Sequence, residues 1–314
     1  MKTNQKMSST KMKKYLIITL CTLAIISCKS DKKDNGKINV VTTTSMITDL
    51  VKNIGGDYIN LQGLMGSGVD PHLYKASEGD VSKLSEADII FYNGLHLEGK
   101  LVEVFEKMAH QNKKTIALSD ALDENTLIGS EFFASNYDPH IWFNVDYWKE
   151  ATKYVVKQLS EAVPEYQAVF KTNGEAYLNK LEALKTKLNK TIQTLPEDKR
   201  VLVTAHDAFN YFGKSFGFEV VGLQGISTAT EAGVQDVQKM SDFIIDQKVK
   251  AIFIESSVPK RTIEAVKAAV NAKNHDVEIG GSLYSDALGN PGTAEGTYIG
   301  MFEYNVNTIV NALK

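Results

Sequence analysis

The sequence predicts an α/β protein: two lobes with parallel-type sheets flanked by helices, joined by a single long rigid α-helix. Three observations predict it. Short β-branched runs alternate with amphipathic stretches from residue 38 onward, the pattern of strands separated by covering helices. That alternation occurs twice. Between the two occurrences, residues 145–195 carry no strand signal. A chain of 314 residues is also long enough for two ordinary domains.

In the first half, strands are expected at 38–44, 58–65, 89–92 and 115–118, and helices at 45–54, 77–85 and 98–109. In the second half, strands are expected at 201–205, 219–223, 251–255 and 277–280. Its helices fall at 206–216, 235–247, 260–271 and 294–313. Within the intervening run, Pro164 suits the first turn of a helix. After it, Tyr166, Phe170, Tyr177, Leu178, Leu181, Leu184 and Leu188 recur at helical spacing until Pro196. About 30 residues at 1.5 Å each make a rod of about 45 Å. The expected boundaries are therefore an N-terminal lobe at 38–163, a linking helix at 164–195 and a C-terminal lobe at 196–314.

The start of the chain reads as an address. Lys13 and Lys14 precede an apolar run from Tyr15 to Ile26, followed by Ser27 and Cys28. This is the charged, apolar, small-residue order of a secretory signal, and it is shorter than the roughly 20 apolar residues of a membrane-spanning helix. Residues 1–27 are expected to be a signal peptide, Cys28 a lipidation site, and the polar stretch 28–37 a flexible tether. Such a protein would work outside the cytoplasm, anchored to a membrane by lipid.

Charge excludes one class of partner. The chain carries a formal −3, and removing the first 27 residues, with five lysines and no acid, takes it to −8. A nucleic acid requires a basic face, so none is expected as a partner. The only cysteines, Cys21 and Cys28, precede the folded body, which can hold neither a disulfide nor a cysteine-ligated metal.

Four residues combine into a candidate metal site. Asp70-Pro71-His72 and Asp138-Pro139-His140 share one frame, and proline makes each a stiff presenting loop with an acid two residues before the histidine. His206 follows a predicted strand and opens a predicted helix, at the carboxyl end where open α/β sheets bind ligands. Asp286 follows another strand, after Gly280 and Gly281. Singly, each has a plain alternative, since histidines and aspartates also cap helices and turns. Together, three imidazoles and a carboxylate suit zinc, with manganese or iron as alternatives. Asp138, Glu255 and Asn144 are candidates for orienting the imidazoles. His96 is a candidate accessory ligand, whereas His110 and His275 sit in polar surface contexts.

The sequence also resembles a known family, the solute-binding lipoproteins of bacterial zinc and manganese ABC importers (cluster A-I). The resemblance runs through VVTTTSMITDLVKNIGGD, DPHLYKASEGDVSKLSEADIIFYNGLHLE, DPHIWFN, TAHDAFNYFGKSFGFEVVGLQGIST, AIFIESSV and GGSLYSDALG. It implies two α/β lobes, one linking helix and an interlobe metal held by His72, His140, His206 and Asp286. It also implies a membrane permease as partner and a monomeric receptor. Manganese-selective members carry a carboxylate where this chain has His206. Zinc members often have a histidine-rich acidic loop, while residues 119–137 here offer Asp120, Asp123, Glu124 and Glu131 but no histidine. The three-histidine, one-aspartate set is most similar to the subgroup that takes both metals.

The expectation is capture of a divalent metal, zinc first, for delivery to an importer. Affinity should fall below about pH 6, where imidazoles protonate, and a stiff linker should permit only small lobe shifts. The rival readings are a surface adhesin and, further off, a zinc hydrolase, although neither a His-Glu-x-x-His nor a Gly-x-Ser-x-Gly pattern is present.

Overall fold

The computed structural model describes residues 36–130 and 133–314. The expected signal peptide, the lipidation residue Cys28 and nearly all of the tether lie outside the described residues, as does Glu131. From Ile38 to Lys314 the chain forms one compact unit.

Its first half is β1 (Asn39–Thr42), α1 (Ser45–Gly55), β2 (Asn60–Gly63), α2 (Glu78–Glu86), β3 (Ile89–Tyr92), α3 (Val102–His110) and β4 (Lys114–Ala117). The strands pair in parallel in the order β2-β1-β3-β4. The helices start where the sequence supplies caps. Thr44 accepts from the Ile47 amide at the head of α1, and Ser77 with Asp80 forms a reciprocal capping box on α2.

Two helices follow, α4 (Val145–Ala162) and α5 (Gln167–Ile192). Asn144 caps α4 by accepting from the Asp146 and Tyr147 amides, so it serves the helix and not an imidazole. The buried stripe of α5 is Phe170, Gly174, Tyr177, Leu181, Leu184, Leu188 and Ile192, at the three- and four-residue spacing the sequence implied. The helix proper begins after a 3₁₀ turn at Pro164–Tyr166. It packs against α1 and α4 of the first half and also against the last helix of the second. At Gly174 a Cβ would collide with Val156 of α4, and this small residue lets the two helices approach closely.

The second half is β5 (Val201–His206), α6 (Asn210–Phe216), β6 (Glu219–Gln224), α7 (Val234–Asp246), β7 (Ala251–Glu255), α8 (Arg261–Asn271), β8 (Glu278–Leu283) and α9 (Tyr298–Leu313). β5 pairs with β6 and β7 with β8, both in parallel, while β5 lies beside β7. The first sheet's pattern of first, second, third and fourth strands therefore recurs. One expectation needs correction here: His206 does not open a helix but ends β5, and α6 starts at Asn210. The cause is Glu255 at the end of β7, whose carboxylate takes both the amide and the ring of His206 and keeps the residue extended.

The two halves share one continuous apolar core. Phe143 packs on Phe209 at 4.4 Å between ring centroids and on Phe302 at 5.8 Å. Trp148 of α4 stacks on Tyr298 of α9 at 5.0 Å. Hydrogen bonds reinforce this seam, from the Leu288 amide to Ser45 Oγ and from the Tyr298 amide to Asp49 Oδ2. Aromatic pairs of this kind add to the large hydrophobic contribution of their burial.

Glu98 closes the switch point between β1 and β3. Its carboxylate, 2% exposed, accepts from Thr43 Oγ1 at 2.7 Å, the Asn93 amide at 2.8 Å and the Gly94 amide at 3.4 Å. Glu98→Ala leaves these donors buried without partners. It should lower unfolding free energy by about 3–5 kcal/mol in urea titrations, and a loss below about 1 kcal/mol would show the carboxylate to be dispensable.

Candidate metal centre

The carboxyl ends of the two sheets and the loops beyond them bring His72, His140, His206 and Asp286 together. One donor atom from each lies within 4.8 Å of all the others. All four side chains are buried, at 4%, 0%, 0% and 1% exposure respectively. Among the described residues this is the one such group of histidines and carboxylates.

The two Asp-Pro-His loops use their acids differently. Asp138 Oδ1 accepts from both the amide of His140, at 2.9 Å, and its Nδ1, at 2.7 Å. Its other oxygen accepts from Asn210 at 3.0 Å, and its carbonyl accepts from the Tyr211 hydroxyl. Asp70 Oδ1 accepts only the His72 amide, at 2.8 Å, while Oδ2 accepts from Thr228 of the second half at 2.6 Å. The Asn93 side chain donates to the Pro139 carbonyl at 2.8 Å, and Trp142 Nε1 donates to the Ser285 carbonyl at 3.0 Å. The loops bearing His140 and Asp286 are thereby tied to each other.

Carboxylates only accept, so Nδ1 of His140 and Nδ1 of His206 are the donors to Asp138 and Glu255. Each Nε2 is thereby turned inward as the ring atom available to an ion. His206 Nε2 and Asp286 Oδ1 are buried without a hydrogen-bond partner. The His72 and His140 Nε2 atoms are 3.3 Å apart, His140 Nε2 is 3.6 Å from Asp286 Oδ1, and His206 Nε2 is 3.3 Å from Asp286 Oδ2. Ligands held about 2.0–2.1 Å from a tetrahedral zinc stand about 3.3–3.4 Å from one another. These three pairs are close to that spacing, and the four donors together lie within 4.8 Å of one another, so modest adjustment would let all of them reach one ion.

Burial pushes the pKa of His72 down to about 3, so it stays neutral and able to ligate. Burial opposes charge on His206 as well, but the Glu255 and Asp286 carboxylates outweigh it and hold its pKa well above the ordinary value. Asp286 is desolvated too, yet the facing His206, with His72 and His140, keeps its carboxyl below the usual range. Three buried carboxylates (Asp138, Glu255 and Asp286) around three imidazoles make a cavity that favours a dication.

His110 is exposed at the end of α3 and His275 lies in the loop after α8, both away from the cluster. His96 is also outside it and exposed, but its ring meets Phe133 edge-on at 6.1 Å, and Phe133 in turn meets His72 at 6.5 Å. Sequence reasoning did not single out Thr228, Asn210, Tyr211 or Trp142. All four lie inside the blocks that carry the family resemblance, Trp142 in DPHIWFN and the others in TAHDAFNYFGKSFGFEVVGLQGIST.

The chain is similar to known proteins over most of its length. Residues 40–312 match the family described as zinc-uptake complex component A, periplasmic. The chain is 45% identical over 300 residues to the manganese-binding lipoprotein MntA of Bacillus subtilis, covering 95% of this chain and 97% of that one. It is 48% identical over 283 residues to the zinc-binding protein TroA of Treponema pallidum, covering 90% and 91%. The solved structure of the periplasmic zinc-binding protein TroA superposes with a TM-score of 0.86, over 88% of this chain and 99% of that chain. That of Fe(III)-bound YtgA from Chlamydia trachomatis gives 0.80 at 27% identity, over 88% and 98%.

Glu255→Gln removes the obligate acceptor from His206 Nδ1 and frees the ring to carry its proton on Nε2. Zinc affinity should drop about 10- to 100-fold, read by competition with a chromophoric chelator. An unchanged dissociation constant would exclude an orienting role for Glu255.

Proposed function

This chain belongs to the zinc-uptake complex component A family, and on that premise we propose that it is an extracytoplasmic receptor that captures a divalent transition metal for an ABC importer. The ligands are His72, His140, His206 and Asp286, set between an N-terminal lobe (38–163) and a C-terminal lobe (196–314) joined by the helix region 164–195. The observation that carries this reading is the convergence of four buried donor atoms, from three loops and the end of β5, two of them lacking any partner. Such atoms are costly to bury unless something binds them.

Zinc is the preferred cargo, with manganese or iron as alternatives. Three donor pairs spaced at 3.3–3.6 Å favour a tetrahedral ion, and imidazole-rich sites follow the order that ranks zinc above manganese. Four donors close the shell and leave no position from which a bound water could attack, so the ion is cargo and not a catalyst. The receptor acts as a monomer, lipid-anchored through Cys28, and hands its ion to a membrane permease. No helix among the described residues is long and apolar enough to cross a membrane.

Capture proceeds by exchange of water for protein donors. Asp286 supplies the one formal charge in contact with the ion, and Asp138 and Glu255 hold two imidazoles with Nε2 already turned toward it. The shared aromatic core below the site limits motion between the halves, so loading requires local loop adjustment.

Elemental analysis of the purified protein should find one zinc per chain, and none in His140→Ala or Asp286→Ala; retention of one ion by either variant would overturn the ligand set. After chelator stripping, zinc should bind at least about tenfold more tightly than manganese.

The pH dependence follows from His206. Its pKa is raised, so the metal-free site holds a proton there at neutral pH, and an entering ion must expel it. Affinity should therefore fall about tenfold per pH unit through the neutral range, beginning above the pH 6 expected from an ordinary imidazole. His72, held near 3, adds no further proton competition there. Calorimetry at pH 7 in buffers of different ionisation enthalpy should register about one proton released per zinc; no release would contradict the assignment.

A further inference from the structure

The metal cluster is fully enclosed, which raises the question of what an arriving ion meets first. We propose that His96 is a capture ligand, binding a hydrated divalent transition metal in passing and handing it to His72. The inference rests on the receptor reading above.

The turn that carries His96 is held in a costly conformation. Gly94, Leu95 and His96 are consecutive residues with positive φ, at 86°, 50° and 61°. For the two that are not glycine this left-handed conformation is strained. The buried Glu98 carboxylate maintains the turn by accepting the Asn93 and Gly94 amides. The turn is also joined to the metal site, because the Asn93 side chain holds the Pro139 carbonyl next to His140. Strain kept in place by a buried network is a feature of functional loops.

The result is an imidazole displayed beside the site. His96 is exposed, and its ring lies over Gly99, where a Cβ would stand 2.9 Å from Nε2. It borders a cavity of about 300 Å³ lined by Tyr92, Glu98, Ser119 and Asp120 among others, in which the Asp120 carboxylate offers a second donor. His72 is the most exposed of the four ligands, at 4%. His96 and His72 both make edge-on contact with the Phe133 ring. An ion held by His96 therefore has one aromatic side chain between itself and the outermost ligand. His110 and His275 have no such relation to the site.

A ligand used only in passing changes rates and leaves the equilibrium alone. The test is stopped-flow mixing of the chelator-stripped full chain with zinc alone, followed by Trp142 emission, since that ring packs on His140 at 5.3 Å, and in parallel by a chromophoric zinc chelator. His96→Asn removes the imidazole and keeps a residue that tolerates positive φ; His96→Gly does the same by a different route. Both should slow association about three- to tenfold, at the low end of what local concentration of an ion achieves. Dissociation should slow by the same factor, leaving the dissociation constant unchanged, and His110→Asn should match the wild type. Wild-type rates in both His96 variants, slowing in only one of them, or equal slowing in His110→Asn would each overturn the capture role. A wild-type chain that takes up no zinc at equilibrium would overturn the receptor reading itself, and the relay with it.

Discussion

A carboxylate can accept a hydrogen bond but cannot donate one, and that asymmetry governs the centre of this molecule. Asp138 and Glu255 each claim Nδ1 of one buried histidine, which turns both Nε2 atoms toward the same small volume. The same two carboxylates also hold the histidines' backbone amides. Tautomer, ring direction and backbone position are thus set together at both residues. Asp286 completes the set with a charge that desolvation alone would neutralise and the surrounding imidazoles preserve.

The fold converts this local chemistry into a preorganised site. Both sheets place their strands' carboxyl ends toward the cluster, and a buried acid sits at each switch point: Glu98 between β1 and β3, Glu255 between β5 and β7. In the first half the acid shapes a turn; in the second it aims a ligand. Beneath them, Phe143, Phe209, Phe302, Trp148 and Tyr298 run from one half to the other without interruption. Close-packed aromatic interiors resist shear, so the ligands' spacing is fixed by packing as well as by hydrogen bonds.

Much of this was legible in the residues. The alternating apolar runs located every strand and, apart from α4, every helix of the body to within a few residues, because each buries one face. The paired Asp-Pro-His frames and the strand-end positions of His206 and Asp286 named the four residues that the structure brings together. What the sequence could not express was partnership across the chain. His206 reads as a helix opener until Glu255, 49 residues later, is seen to hold it in the strand. Asn144 reads as a neighbour of the site and turns out to be a helix cap. Two identical tripeptides also diverge: Asp138 orients its histidine, whereas Asp70 reaches across to Thr228. Nothing local distinguishes them.

The four donors are spread from residue 72 to residue 286, and that dispersal has a consequence for biogenesis. A nascent or partly translocated polypeptide possesses only fragments of the coordination sphere, each too weak to hold an ion by itself. Under the proposed ligand set, loading waits until the last loop has docked, and the receptor would not carry metal out of the compartment where it is synthesised. It leaves empty and fills where it folds.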